Sequence, residues 1–414
     1  MTEHQSAASL TKSSLPILEE PKGAHVVSSA DEAIEIAKRF AARIAETASE
    51  RDRQQRLPVA EIAEFTQSGL LSLNVPKEYG GPDLSYSTIA EVISIVAAAD
   101  PSIGQLPQNH IDFIDTLRTT ATPEQRAEFF RAILAGTRSG NAFSELGSRT
   151  AADFETKITR RGDDYVVNGR KFYSSGALLA HIVPITTVDP EGRLYFAVAD
   201  RNTPGLSIID DWSSFGQRTT ASGTVIIENV VLPPSRVIPS YASQDSPSAN
   251  GAVCQIVHAA VDTGIARRAI EDTIAFVRNS ARPWIDSGKA KAVEDPYTIS
   301  DIGDLKIKLH ATEALLARAG RALDAAVANP TVETVAAASI AVAKAKVLST
   351  DVALLATNKL FEHGGARSTL LKNNFDRHWR NARVHTVHDP VRWKYPIIGN
   401  YYLNHVLPPR HSWI

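Results

Sequence analysis

The first third of the chain is predicted to be helical, because its apolar residues recur at helical intervals. The clearest stripe follows Ser29 and Glu32, a pair typical of a capping box at a helix start. Its members are Ile34, Ala37, Ala41 and Ile44. Shorter helices are predicted over about 58–68 and 87–99, and another begins after Thr122. These elements indicate a helical N-terminal domain.

The apolar pattern changes to alternation near residue 140, where β-strands are predicted. Two alternating segments meet at Gly162-Asp163, and Asn168-Gly169 is typical of a further, type I′ hairpin turn. Another turn is predicted at 189–192. Residues 140–245 are therefore predicted to form a compact antiparallel β domain, either a small barrel or a sandwich.

The last third is predicted to be an up-down helical bundle. Long runs rich in Ala, Leu, Ile and Val cover 251–281, 298–328 and 331–363, and a fourth helix is predicted around 373–389. The run 331–363 is apolar on most faces, so we expect a second subunit to cover it, most simply in a homotetramer. The predicted domain bounds are 1–27 for a flexible N-terminal arm, 28–139 for the helical domain, 140–245 for the β domain, and 246–414 for the bundle with its tail.

Composition excludes several classes of partner. Of 414 residues, 43% are apolar, and 44 basic residues balance 46 acidic ones, so nucleic-acid and anionic-membrane binding are not expected. No apolar run approaches the roughly 20 residues of a membrane span. The single cysteine, Cys254, is expected in the core and excludes an intrachain disulfide, as in a reducing cytoplasm. The first 25 residues lack the apolar core of a signal peptide.

The segment RHWRNARVHTVHDPVRWKY places His385, His388 and Asp389 within five residues. Histidines three apart share one face of a helix, and Pro390 favours a helix end at that point. Imidazoles are the side chains best suited to move protons near neutral pH. The pattern therefore predicts a proton-transfer cluster beside a cavity. The alternative is that these polar residues only cover a helix end.

Several common cofactor motifs do not occur in the sequence. It contains no GxGxxG after a strand, no P-loop and no HExxH. A protein-bound NAD site is therefore not expected. The histidines could be mistaken for metal ligands, but Pro390 beside them disfavours a metal site.

Five segments, taken in chain order, resemble the acyl-CoA dehydrogenase family of flavoproteins. They are LNVPKEYGG, GNAFSELG, VNGRKFYSSGA, GQRTTASG and FEHGGARS. The resemblance covers about residues 30 to 414. It implies an α+β multidomain fold with an N-terminal α-helical domain, a middle antiparallel β-barrel or sandwich, and a C-terminal four-helix bundle.

The histidine-rich segment departs from that family where a catalytic carboxylate is expected. Alignment places Asp389, one methylene shorter, at the position of the glutamate base that many members carry, with His388 beside it. The segments NHIDF, ARPW and HDPVRWKY are instead similar to the flavin-dependent monooxygenase branch, which includes dibenzothiophene monooxygenase. The strongest likeness is to SfnB-type sulfur-acquisition oxidoreductases. The resemblance thus implies a cytoplasmic monooxygenase that oxygenates a small organosulfur compound in sulfur acquisition.

The resemblance also implies the cofactor and the acid. Members of this branch use O2 and reduced FMN delivered by a separate NAD(P)H:flavin reductase, and they react through a flavin C4a-hydroperoxide. His388 is the expected proton donor, with Asp389 orienting its ring. His385 is a less direct candidate, and His110 matches a pocket histidine of the branch.

Candidate flavin contacts follow from the same motifs. They are Asn141, Ser144, Ser175, Trp212, Arg218, Thr220 and Ser222. Ser175 is also expected near the flavin's reactive atoms. Arg218, Thr220 and Ser222 alternate, so they are expected on one face of a strand. Arg282 and Arg367 are the expected phosphate ligands, serving a flavin held mainly by another subunit.

Two other functions stay open from the sequence. One is an FAD-dependent acyl-CoA dehydrogenase-like oxidoreductase with Asp389 as base. The other is a flavin-fold protein without chemistry that serves as a binding or regulatory partner. The state of the flavin separates the three functions. Tightly bound FAD favours the dehydrogenase, preferential FMNH2 binding favours the monooxygenase, and no flavin binding favours the protein without chemistry. The sequence does not name the substrate.

Overall fold

The computed structural model describes residues 15–244 and 246–414. Within that range the N-terminal domain is helical, as predicted. Its helices are α1 (Ala30–Gln54), α2 (Val59–Gln67), α3 (Tyr86–Ala99), α4 (Pro101–Gln105), α5 (Gln108–Thr120) and α6 (Pro123–Leu134).

The two predicted helix starts differ in detail. Thr122 and Gln125 form a complete capping box at α6. At α1, the Ser29 hydroxyl accepts the Glu32 N–H, but the Glu32 carboxylate accepts the backbone N–H of Ser28, 2.6 Å away. The expected capping box at Ser29 is therefore only half formed. The Glu32 carboxylate is drawn one residue further back, where it also accepts from the Ser28 hydroxyl and binds His25.

The predicted flexible arm falls partly outside the described residues, since 1–14 are not described. From residue 15 to the start of α1 the chain has no helix or strand. Its backbone is nevertheless attached to the body, because Gly23 N–H donates to the Ala135 carbonyl and His25 N–H to the Gln67 carbonyl.

The middle domain is one seven-stranded sheet. Its strands are β1 (Lys157–Arg161), β2 (Asp164–Lys171), β3 (Ile182–Val188), β4 (Leu194–Asp200), β5 (Leu206–Ile208), β6 (Val225–Leu232) and β7 (Val237–Ile238), in the order β5-β6-β2-β1-β3-β4-β7. Neighbours are antiparallel except β1 and β3, which meet in parallel at Lys157 and Val188. The antiparallel expectation therefore needs this one correction.

The predicted hairpin turn at Asn168-Gly169 is wrong. Both residues lie inside β2, at a bulge in its pairing with β6, and the hairpin between β1 and β2 turns at Gly162-Asp163 instead. A Cβ on Gly169 would collide with the side chain of Thr156. The glycine is required for this close approach and not for a turn.

The C-terminal bundle consists of α7 (Asn250–Asn279), α8 (Pro296–Ala328), α9 (Val332–Gly364) and α10 (Asp376–His385), followed by α11 (Lys394–Asn404). Helix α10 ends at His385, earlier than the predicted 389. The Thr386 N–H still bonds the Ala382 carbonyl, but the His388 N–H bonds the His385 carbonyl three residues back. His388 and Asp389 therefore lie in a tight turn after the helix.

The argument that α9 needs a second subunit is also wrong. Most α9 side chains are buried within this chain, because α7, α8, α10 and α11 all pack against it. A single apolar core joins α1, α3, α7, α8 and α9. At the crossing of α7 and α3, a Cβ on Gly264 would lie 2.5 Å from the Ser94 carbonyl oxygen, so glycine sets how closely these helices approach. Among the described residues, no helix is long and apolar enough to cross a membrane.

Candidate functional site

Three buried hydroxyl groups form a chain at the edge of the β domain. The Ser175 and Ser222 Oγ atoms lie 2.6 Å apart, and Thr220 Oγ1 is 2.7 Å from Ser222 Oγ. Thr220 Oγ1 also donates to the Gln217 carbonyl. We call Ser175, Thr220 and Ser222 the hydroxyl cluster. The structure thus brings three of the predicted flavin contacts together.

The expected strand through Arg218, Thr220 and Ser222 is absent from this described segment. It is a turn, with Gln217 and Ala221 in the left-handed region at φ 48° and 51°. The turn keeps the two hydroxyls together but directs Arg218 elsewhere. Its Nε and Nη2 atoms lie 3.1 Å from the Gln55 amide oxygen, when that amide is oriented to accept.

An aromatic wall lies beside the hydroxyl cluster. Trp212 Nε1 donates to the Gln217 carbonyl at 2.9 Å, and its ring is 6.1 Å from that of Tyr173. Asn141 Nδ2 donates to the Tyr173 carbonyl. The Ser144 carbonyl accepts the N–H of Phe172, the residue before Tyr173. Tyr173 is 47% exposed. The predicted contacts Asn141, Ser144 and Trp212 therefore lie along one accessible wall.

Several buried polar groups near this wall have no hydrogen-bond partner among the described residues, and they indicate whether a flavin would fit. Both amide atoms of the buried Gln217 side chain, and the Ser174 hydroxyl, have no hydrogen-bond partner within the described protein. Buried polar groups without partners are costly, so a ligand with several donors and acceptors would satisfy them. The isoalloxazine edge is such a ligand, and the aromatic side chains suit its ring. The residues present therefore fit a flavin.

His110 lies on α5, next to the hydroxyl cluster. It lines a small cavity together with Ser139 and Gly176, the residue after Ser175. The Ser139 N–H donates to His110 Nδ1 at 3.1 Å, so the neutral ring carries its proton on Nε2. Burial is the main cause that lowers the pKa of His110 to about 3. His110 is therefore neutral near pH 7 and can donate a hydrogen bond but not act as a strong acid.

Three histidines meet between α7, α10 and the turn that follows α10. His385 Nδ1 lies 2.6 Å from Asp262 Oδ1, and His385 Nε2 is 3.1 Å from His258 Nδ1. The ring centroids of His258 and His388 are 4.0 Å apart. We call His258, His385 and His388 the histidine cluster. His385 and His388 are thus brought together as predicted, but through His258.

Two lysines neutralise the carboxylates beside this cluster. Lys346 Nζ on α9 binds Asp262 Oδ2 at 2.5 Å, and Lys394 Nζ lies 3.1 Å from Asp389 Oδ2. Burial acts to raise the pKa of Asp389, but the His388 hydrogen bond and the two lysine charges outweigh it and hold that pKa below its usual range. Asp389 is therefore an ionised, paired carboxylate. A general base needs a pKa near the working pH, which this residue does not have.

Helix α10 joins the two clusters. Asn381 Oδ1 accepts the Gln217 N–H at 2.7 Å, and Gly216 packs against the Arg380 carbonyl without room for a Cβ. Asn381 and His385 are four residues apart, so they share a face of α10. The turn that carries the hydroxyl cluster is thereby held on the helix that carries His385.

The two predicted phosphate ligands lie at the other end of α7. Arg282 and Arg367 are both exposed, and Arg367 Nη1 donates to the Ser280 carbonyl at 3.1 Å. At about 1.5 Å per residue, the C-terminal end of α7 at Asn279 is roughly 30 Å from His258. The structure therefore brings these arginines near each other but not near the histidine cluster of the same chain.

Sequence reasoning missed four polar residues of this site, namely His258, Asp262, Lys346 and Lys394. They lie on helices whose pattern is mostly apolar, and all four are buried. A signal did exist for two of them. His258 and Asp262 are four residues apart within an apolar stretch of α7, which places a titratable pair on one buried helix face.

A cavity of about 960 Å³ lies between the β domain, the start of α7 and the C-terminal tail. The aromatic rings of Phe143, Phe154 and Trp413 line it, and so do the charged residues Asp112 and Arg193. Lys394, which pairs with Asp389, also donates to the Trp413 carbonyl at 2.9 Å, so the tail that lines the cavity is held to the turn that carries His388 and Asp389. Cys254 is buried, as predicted, and its thiol donates to Asp112 Oδ1.

Known proteins are similar to this chain in both sequence and fold. Models described as the N-terminal, middle and C-terminal domains of acyl-CoA dehydrogenase match residues 30–137, 142–230 and 256–393. A dibenzothiophene monooxygenase of Mycolicibacterium goodii is 34% identical, over 91% of this chain and 94% of its own length. The probable FMNH2-dependent monooxygenase SfnC of Pseudomonas putida is 32% identical, over 91% and 96%. The FMN-bound structure of TdsC from Paenibacillus sp. A11-2 is 32% identical and superposes with a TM-score of 0.88, over 92% of this chain and 100% of TdsC.

Proposed function

The chain belongs to the acyl-CoA dehydrogenase family, and on this premise we propose that it is a flavin-dependent monooxygenase that uses FMNH2 to oxygenate a small organosulfur compound. One observation carries the choice within the family. At the position of the dehydrogenase base, Asp389 is paired with Lys394 and with the imidazole of His388, which in turn packs against His258. This arrangement supports proton donation better than abstraction of a substrate proton.

Reduced flavin, when bound, would activate O2 and supply the two electrons that reduce its second oxygen atom to water. The chain would hold the flavin between the hydroxyl cluster and the aromatic wall, with Asn141, Ser144 and Gln217 at its polar edge. His388, whose side chain is 39% exposed, would donate a proton at the reacting face. Asp389 would orient its ring from the buried side, at 3.4 Å from His388 Nδ1.

The substrate would occupy the cavity of about 960 Å³. This volume is within the usual range for small-molecule pockets. The aromatic rings of Phe143 and Trp413, with centroids 5.8 Å apart, offer apolar contact to a sulfide or a thiophene-like ring. Arg193 offers hydrogen-bond donors to the oxygens of an oxidised sulfur group. This mixture supports small organosulfur substrates and leaves the individual compound to experiment.

We further propose that the protein acts as a homotetramer in the cytoplasm. The support is the position of Arg282 and Arg367, roughly 30 Å along α7 from the histidine cluster by helix rise. They cannot reach the phosphate of a flavin whose ring lies at that cluster in the same chain, so they would serve a flavin bound to another subunit. Sedimentation of the purified protein tests this, and a monomer at micromolar concentration would contradict it. Reduced FMN would arrive by diffusion from a separate NAD(P)H:flavin reductase.

Product analysis tests the proposed function. The protein is incubated with FMN, a flavin reductase and NADH, together with a panel of sulfides, sulfoxides, sulfones and sulfinates. We expect one class to gain a single oxygen atom from 18O2, and FMNH2 to bind more tightly than FMN or FAD. Tight FAD that an acyl-CoA thioester reduces would instead support the dehydrogenase with Asp389 as base. A protein that binds no flavin would support a binding or regulatory role.

A further inference from the structure

We propose that His258 is a proton-relay residue that links the buried His385–Asp262 pair to the reacting face of the site. The proposal rests on the proposed function, in which a proton must reach the site in each turnover. His258 lies on α7, is 1% exposed, and stands between the other two histidines. Its role follows from the direction of the hydrogen bonds around it.

When His385 and His258 are both neutral, Asp262 fixes which nitrogen of each ring carries the hydrogen. Asp262 is a carboxylate that also binds Lys346, so it can only accept, and His385 Nδ1 must carry the proton in their 2.6 Å contact. A neutral His385 then presents a lone pair at Nε2. In the 3.1 Å contact with that lone pair, His258 Nδ1 must be the donor. The second nitrogen of His258, Nε2, is therefore left as a lone pair.

That lone pair is the feature that points to a function. His258 Nε2 is buried and has no hydrogen-bond partner within the described protein. Its ring lies against the half-exposed ring of His388, with the centroids 4.0 Å apart and the planes tilted by 33°. A buried histidine with a purely structural role normally forms hydrogen bonds with both ring nitrogens. An unused nitrogen beside the proposed proton donor can accept a proton from the site or return one to it.

One additional proton reverses both hydrogen bonds. With that proton on the pair, His385 holds hydrogen at Nδ1 and Nε2 and donates to His258 Nδ1, while His258 carries its hydrogen on Nε2. When His258 gives up the Nε2 proton, the shared proton moves from His385 Nε2 to His258 Nδ1 and the neutral chain is restored. The proton therefore enters and leaves at His258 Nε2, the one free lone pair of the neutral pair, so the two histidines store a proton for the site and return it, with no electron transferred and no other bond changed.

The surrounding charges decide where the positive charge is held. Burial lowers the pKa of His385 as well, but His385 faces the Asp262 carboxylate, which opposes that lowering and favours an imidazolium there. His258 faces His385, His388, Lys346 and Lys394, and burial together with these groups lowers its pKa. Asp389 is the remaining charged neighbour, and Lys394 and His388 already pair with it. The charge is thus held on His385 while the mobile proton is presented by neutral His258.

Nitrogen NMR of the protein alone tests the hydrogen-bond directions without any activity. Histidine is labelled with 15N, and the signals are assigned with His258→Gln and His385→Gln. At neutral pH we expect hydrogen on Nδ1 and a lone pair on Nε2 for His258, changing to hydrogen on Nε2 as the pair takes up one proton at lower pH. Hydrogen on Nε2 of His258 while His385 is neutral would overturn the proposal.

Turnover then tests the relay itself. His258→Gln can still accept from or donate to His385, but it cannot exchange a proton, so product formed per FMNH2 oxidised should fall at least about tenfold, with a larger solvent isotope effect. His378→Gln is the matched control. Like His258, His378 is a buried histidine, but it lies on α10 outside the histidine cluster and binds Asp272 of α7 at 2.8 Å. Equal losses in both variants, or no loss in His258→Gln, would overturn the relay. Failure of the wild-type protein to oxygenate any sulfur compound would reject the proposed function, whereas the NMR result would still stand.

Discussion

The hydroxyl cluster and the histidine cluster are both buried polar groups, but they are built in opposite ways. The hydroxyl cluster is neutral and belongs to one domain. In each of the hydrogen bonds between its hydroxyls either oxygen can be the donor, so the hydroxyl hydrogens can reorient to suit a ligand. The histidine cluster lies beside the buried ion pair of Asp262 on α7 and Lys346 on α9, and its hydrogen-bond directions are fixed by Asp262. The difference indicates that the first is suited to binding and the second to moving protons.

The largest difference between the clusters should be in stability. Asp262→Asn leaves Lys346 buried without a carboxylate, and we expect the free energy of unfolding to fall by about 3–5 kcal/mol. Ser175→Ala removes one neutral hydrogen bond and should cost about 1 kcal/mol. Urea unfolding followed by circular dichroism measures both. The double variant Asp262→Asn with Lys346→Met should recover much of the lost stability. Similar losses in Asp262→Asn and Ser175→Ala would contradict the difference between the two clusters.

The next effect concerns catalysis. His388→Ala should lower product formation at least about a hundredfold, since a general acid typically contributes 10²–10⁴-fold. Binding of FMNH2 should be preserved, and flavin oxidation should continue with hydrogen peroxide as the product. Single-turnover product counts with stopped-flow spectra measure this. Val387→Ala, an exposed neighbour, is the control. Near wild-type yield in His388→Ala would mean that His388 only covers the end of α10.

A third test asks whether the binding half of the site extends to another subunit. Arg282→Ala or Arg367→Ala should weaken flavin binding by about 1.5–3 kcal/mol, roughly 10- to 150-fold in Kd, because each removes a charged hydrogen bond to phosphate. Both residues are exposed, so the fold should survive. Titration of FMNH2 under anaerobic conditions measures the change, with Arg131→Ala on α6 as the control. Unchanged affinity in both variants would place the phosphate elsewhere.

The smallest effect is a pH dependence at His110. Its pKa is lowered from 6.5 to about 3, so between these values the unfolded chain binds a proton that the folded chain does not. Stability must therefore fall as pH falls through this window. His110→Gln should lose less stability between pH 7 and 5 than the wild-type protein does. His310→Gln, an exposed histidine of α8, should follow the wild-type curve, and parallel curves for all three would contradict the lowered pKa.

The sequence alone determined the architecture and the segment that carries the chemistry. Apolar periodicity located the long helices to within a few residues, since burial of one face is a local, repeating requirement. Alternation located most strands of the β domain for the same reason. The family motifs and the histidine-rich segment predicted Ser175, His385, His388 and Asp389 as site residues, and both this assignment and their roles remain predictions.

Only the tertiary structure decided features that depend on distant neighbours. Asn168-Gly169 became part of a strand because Thr156 packs against it. The turn at 217–221 is held by α10, so the expected strand could not form. Helix α9 is covered by helices of its own chain. The role proposed for His258 became visible only in the fold, where α10 and the turn after it place His385 and His388 on either side of it. A periodicity marks which residues are buried but not which buried polar groups meet.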